Sequence, residues 1–362
     1  MKRIVIVGGG YAGTMLARAL DRVADVMLVE PREAFVHNVG AIRAMVDPTL
    51  IDRIILRYDR LLSRGSIVRG RATAITDGGV SLGDGRHIDG DIVVLATGSN
   101  YASPFKPVAD DMASFRTALL ATHEALRAAR RVAIVGAGAV GTELAGEICA
   151  GMPGKIVTLI SATPELFPGF PAKLGTRLAR DLVALGVDLR LGVTATGLDP
   201  LRVLASGPLR LSAGAPVDAD LVFPAIGSTP SAEVARSIEG ARFDHAGRVV
   251  VDPWLRVAGR GDRFALGDAS AAGDLMTIVA ISRQAPWLAK AIKAVLAGHA
   301  VETLAQYRPW PSPPILVPLG VKHGASVLPL TRSGPVVGAM LTAAIKGRAL
   351  FIPRYQKEFG CA

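Results

Sequence analysis

The chain has 362 residues, 50% of them hydrophobic and 5% aromatic, with a formal net charge of +10 at pH 7. A chain of this length is expected to form about two to three domains around a sizeable core, and its apolar content excludes general disorder. Few aromatics, and no helix-turn-helix, zinc-ligand or RNA-stacking motif, make a nucleic-acid partner unexpected; the positive charge reads as solubility or as attraction to anionic cofactors or lipid headgroups.

Met1-Lys2-Arg3 leads directly into the apolar run Ile4–Val7, too short for a signal-peptide core, and Lys2 stands where N-myristoylation needs glycine. No apolar run approaches the ~18 residues of a membrane span. The expected location is therefore cytoplasmic, either free or peripheral on the inner face of a membrane.

The first element is a strand that runs into Gly8, Gly10, Tyr11, Ala12 and Gly13, followed by a helix pattern and a second strand ending at Glu30. This strand–glycine turn–helix–strand order lets backbone amides approach a pyrophosphate with no side chain in the way. A carboxylate at Glu30 accepts hydrogen bonds from the ribose hydroxyls of an unphosphorylated adenosine, which suits FAD or NAD. Residues 75–90 are turn-rich and read as a β-meander, and the strand 91–95 then runs into Ala96, Thr97 and Gly98.

The same grammar returns in RVAIVGAGAVG, with Gly136, Gly138, Val140 and Gly141 in the same positions and a strand 156–160 beyond them. Two fingerprints in the right context point to two dinucleotides. Ser161 stands where an acid would reject a 2′-phosphate, so NADH and NADPH both remain open. The strand 218–225 ends at Ile226-Gly227-Ser228, matching Thr97-Gly98-Ser99, so the unit is loosely repeated. Next come the strand 262–266 and Gly267-Asp268, then a helix pattern from about Thr277 to Leu296 in which Pro286 predicts a kink. PWPSPP (309–314) reads as a stiff connector to a final small unit.

Together, the fingerprints, DIVVLATGS (91–99) and RFALGDAS (263–270) resemble the FAD/NAD(P)H flavoproteins with two dinucleotide-binding domains. FVHNVGAIRA (35–44), LGVKHGASVLPL (319–330) and the tail 339–355 are similar to the apoptosis-inducing-factor-like oxidoreductases that include ferroptosis suppressor proteins, with type II NADH:quinone dehydrogenases as relatives. The resemblance covers the whole chain. It implies an α/β fold of two Rossmann-like three-layer, glutathione-reductase-like domains and a short C-terminal unit. The expected division is 1–118 and 243–308 for FAD, 119–242 for NAD(P)H, and 309–362 for the short unit.

The resemblance also implies a reaction: hydride passes from NADH or NADPH to FAD, and two electrons then reach a quinone or other small electron acceptor. In such enzymes Asp268 holds the ribityl chain and the helix beginning near Thr277 faces the flavin, where its dipole stabilises developing negative charge. Glu143, in the Gly-x-Glu pattern, is expected near nicotinamide and flavin; a solvated pair with Glu147 is the alternative, and is favoured for Glu147. Arg43 is expected either at the FAD or in a surface salt bridge, His37 as an ordinary core or loop histidine, and Lys322 and His323 at most as a border of a quinone site. Met276-Thr277 replaces a lysine that ferroptosis suppressor proteins carry, which leaves the acceptor open.

The tail mixes Leu341, Ile345, Leu350, Phe351 and Ile352 with Lys346, Arg348 and Arg354, a composition that suits a membrane surface and protein packing equally. The only cysteines, Cys149 and Cys361, do not form the Cys-x-x-Cys pair of disulfide reductases, so electrons are expected to leave from the flavin itself. Two other readings remain: a reductase of a ferredoxin- or rubredoxin-like protein, and a flavin-bound, redox-regulated interaction protein.

Overall fold

The chain folds around two parallel sheets that repeat one plan, seen in a computed structural model that describes residues 1–198, 203–330 and 334–361. In the first sheet the spatial order is Arg263–Ala265, Ile92–Leu95, Arg3–Val7, Asp25–Glu30 and Ser66–Arg69, all parallel. Ile4 to Val7 are all buried, as a strand covered on both faces requires. On one face, Leu16 and Leu20 of the helix Tyr11–Leu20 pack with Leu288 and Ile292 of the helix Ile278–Leu296. Pro286 lies inside that single continuous helix, where it removes one backbone donor without ending the element.

The second sheet has the order Asp188–Leu191, Ile156–Ser161, Arg131–Val135, Val217–Pro224 and Leu204–Leu209, with only the last strand antiparallel. The meander expected at 75–90 is a three-stranded antiparallel sheet of Ala72–Thr76, Gly79–Leu82 and His87–Asp89. Ser99–Asn100 pairs with Thr229–Pro230, so the two corresponding glycine turns are stitched to each other.

The end of the chain is a small antiparallel sheet, Ile315–Leu319, His323–Val327 and Val336–Val337, followed by the short helices Ala339–Thr342 and Ile352–Glu358. Leu350 and Ile352 are buried, and Tyr355 and Phe359 stack on Phe35 with ring centroids 5.6 and 4.8 Å away. The tail therefore packs across the first unit, because its apolar side chains have aromatic partners there. Met340 and Leu341 remain exposed.

Candidate functional site

Both glycine turns solve the same steric problem. Gly8 and Gly136 have φ of +110° and +108°, and a Cβ on either would come within 2.5 and 2.3 Å of the carbonyls of Ala96 and Ala225. Each turn therefore presses against the strand-end loop beside it, and only glycine fits. The helices Tyr11–Leu20 and Ala139–Gly151 begin at Gly10 and Gly138, neither capped by a side chain, and a Cβ on either glycine would project into open space. Their first amides thus face room for an anion.

Two cavities meet beside the first turn. One is lined by Gly8, Glu30, Arg32, Thr97, Ser99 and Lys106. The other, of about 230 Å³, is mainly apolar and is walled by Tyr11 and Val39 of the first unit, Val140 and Glu143 of the second, and Leu316, Lys346 and Phe351 of the tail. Lys106 belongs to both. Its Nζ donates to the Ser99 carbonyl and Oγ at 2.8 and 2.7 Å, and Ser99 Oγ donates to Asp268 at 2.6 Å. Burial pulls the Lys106 ammonium below its ordinary pKa, against the attraction of Asp268. A trough thus runs from Glu30 past Gly8 and Thr97 into the apolar cavity. Its contents match a dinucleotide with a flat apolar ring: glycine amides and a helix terminus for the pyrophosphate, carboxylates for hydroxyls, and the buried, unpartnered Asn38 Oδ1 at the ring end.

Glu30 ends its strand and accepts from Gly9 N at 2.6 Å and from Arg32 Nε at 2.7 Å. Thr277 accepts from Ala280 N at 3.2 Å, capping the helix Ile278–Leu296 whose first turn lines the apolar cavity. At the second turn, Ser161 ends its strand with Oγ 2.9 Å from Thr163 Oγ1, and Gly227 takes φ of +69° in the loop facing it.

Two carboxylates one helical turn apart take two cations. Glu143, 4% exposed, accepts from Lys346 Nζ at 2.6 Å; Glu147, 5% exposed, is bidentate with Arg43 at 2.7 and 2.8 Å. Burial raises the Glu143 carboxyl above its usual range although Lys346 opposes it. Arg43 also donates to the carbonyls of Gly347 and Arg348, at 2.6 and 3.2 Å. This corrects two expectations: Arg43 reaches neither cavity and lies in no surface salt bridge, and Glu147 is not solvated. Of the two readings of the tail, Lys346 follows the packed one, as a residue of the cavity wall. Lys322 and His323 are exposed at a hairpin and line neither cavity. Lys106 and Lys346 were not singled out as site residues from sequence, since a lone lysine in a loop or tail carries no spacing signal.

A family model described as "Pyridine nucleotide-disulphide oxidoreductase" matches residues 2–291. The chain belongs to this family. Apoptosis-inducing factor homolog B of Dictyostelium discoideum is 29% identical, over 98% of this chain and 96% of its own. Ferroptosis suppressor protein 1 of Taeniopygia guttata is 28% identical over 99% and 96%. Among solved structures, a covalent putidaredoxin reductase–putidaredoxin complex superposes with a TM-score of 0.66 at 22% identity, covering 83% of this chain and 76% of that one. An NADH-bound, water-forming NADH oxidase from Lactobacillus brevis gives 0.62 at 19%, covering 80% and 69%. The cofactors of this oxidoreductase are FAD and NAD(P)H. Among the described residues, no helix is long and apolar enough to cross a membrane and no side-chain group is built for a metal ion.

Proposed function

We propose that this flavoenzyme takes hydride from NADH or NADPH and passes two electrons to a quinone-type acceptor. The observation that carries this reading is the apolar cavity between the two nucleotide units, closed by the Lys346–Glu143 pair. FAD bound in the trough, held by Gly8–Gly13, Glu30, Thr97, Lys106 and Asp268, supplies the ring that exchanges hydride. Gly136–Gly141, Ser161 and Gly227 receive the nicotinamide nucleotide.

A quinone that takes up two electrons also needs protons at its oxygens. Lys346 has three N–H donors; one goes to Glu143, one to the Leu316 carbonyl at 3.1 Å, and the third is left for the cavity. Glu143, buried beside it, orients the ammonium, so the pair places an N–H donor where acceptor oxygen charge develops. With no Cys-x-x-Cys pair in the sequence, electrons leave by this cavity.

Ferroptosis suppressor protein relatives support the quinone reading, while the putidaredoxin reductase neighbour and the +10 charge favour a small acidic redox protein as the second. Membrane contact rests on a narrow exposed strip, Met340, Leu341 and Arg348. Steady-state NADH oxidation with a water-soluble benzoquinone, against a ferredoxin-type protein at equal concentration, separates the acceptors. Faster turnover with the benzoquinone supports the proposal; turnover with the iron–sulfur protein alone overturns it.

A further inference from the structure

His37 is fully buried and lines neither cavity, yet it is bonded on both sides. Nδ1 lies 2.9 Å from the Tyr11 hydroxyl and Nε2 lies 2.6 Å from the Leu350 carbonyl. Val39 N donates to that hydroxyl at 3.3 Å, which leaves the Tyr11 proton for Nδ1. The ring's own proton is then on Nε2 and goes to Leu350, so one neutral tautomer satisfies every partner.

The carbonyl it holds belongs to an unusual turn. Leu350 and Phe351 have φ of 49° and 60°, two successive residues with side chains in the left-handed region. Such a conformation persists only where surrounding contacts over-determine it. Leu350 N donates back to the Lys346 carbonyl at 2.7 Å, Leu350 is buried, and Phe351 lines the apolar cavity. The groups facing His37 are Tyr11, the Tyr355 ring at 4.6 Å and the Lys346 cation. Burial, helped by Lys346, pushes the imidazole down to about 4, so it stays neutral near pH 7.

We propose that His37 is a positioning residue for the acceptor side of the cavity: by gripping the Leu350 carbonyl it locks the left-handed turn and so places Phe351 and Lys346 at the cavity wall. The inference rests on the reading of this cavity as the acceptor site. It assigns His37 no contact with substrate or flavin, since both ring nitrogens are already bonded.

The test uses FAD-loaded protein with His37→Leu, which removes the grip, and His37→Gln, whose amide N–H reaches the same carbonyl. Amide exchange in residues 346–359 is expected to rise by about tenfold in His37→Leu while residues 131–161 are unchanged. The KM for a water-soluble benzoquinone should rise by about tenfold with NADH-driven flavin reduction within about twofold of the parent. His37→Gln should keep both near the parent. Tail exchange in His37→Leu within about twofold of the parent overturns the proposal. If His37→Leu does not retain FAD, His37→Gln against His37→Asn decides, because asparagine is too short to reach Leu350; equal tail exchange in the two overturns it. Raised tail exchange in His37→Leu, where the parent itself reduces no quinone, supports the positioning role and removes the acceptor reading instead.

Discussion

Lys346 Nζ lies 2.6 Å from Glu143 Oε1, joining the C-terminal tail to the first helix of the second nucleotide unit across 203 residues of sequence. One turn along the same helix, Glu147 takes Arg43 from the first unit. Tail, first unit and second unit are thereby tied at one point, beside the cavity.

If Lys346 holds the proton for the acceptor, Lys346→Met slows reoxidation of the reduced enzyme by quinone by about a hundredfold. Flavin reduction by NADH should change far less. Rapid-mixing measurement of the two half-reactions checks this, and equal slowing of both would place Lys346 in ground-state structure instead.

Arg43→Gln leaves the Glu147 carboxylate buried without its cation, which costs about 3–5 kcal/mol. Arg43→Met combined with Glu147→Leu should recover part of that loss, since two apolar side chains need no counter-charge while the Gly347 and Arg348 carbonyls still lose their donor. Denaturant unfolding of the single and double variants checks it; a double variant less stable than the single one would contradict it.

His37 makes stability depend on pH in a known direction. Its native pKa is down at about 4 against 6.5 when free, so the unfolded chain binds the proton first. Its contribution is complete above about pH 6.5 and is lost as pH falls through about 4, an effect of about 3 kcal/mol. The melting temperature of His37→Gln should therefore fall less steeply than the parent's over that window.

Ser161→Glu places a carboxylate where a ribose 2′-phosphate would sit. The kcat/KM for NADPH should drop by at least about tenfold while that for NADH holds or rises. Parallel losses for both nucleotides would remove Ser161 from the nucleotide pocket.

Lys106→Ala removes the ammonium that lies where the two cavities join. Weaker FAD retention by about tenfold, read by fluorescence of released flavin at equilibrium, is expected. Unchanged retention would make Lys106 a support for Ser99 alone.

Both glycine turns, the strand ends at Glu30 and Ser161, and the loop glycines Gly98 and Gly227 were legible in the sequence, because a turn that admits only glycine leaves its mark within ten residues. The partners of Arg43, Glu147 and Lys346 were not. Spacing i, i+4 shows that Glu143 and Glu147 share a helix face, but not that the face is buried against the tail. A pairing across 104 or 203 residues leaves no local pattern. The tail stayed open for a related reason: its composition suits a membrane surface and protein packing equally, and only the aromatic floor of Phe35, Tyr11 and Tyr58 under Tyr355 and Phe359 decides for packing there.

The central claim is that electrons enter from the nicotinamide nucleotide and leave directly to a small acceptor through the cavity at Lys346. The most direct measurement is anaerobic: mix the yellow protein with one equivalent of NADH, follow flavin bleaching, then add a water-soluble benzoquinone in a second mix. Rapid bleaching followed by rapid return of the oxidised spectrum in the parent, with only the return slowed in Lys346→Met, is the predicted result. Rapid bleaching with no return on benzoquinone addition would contradict it.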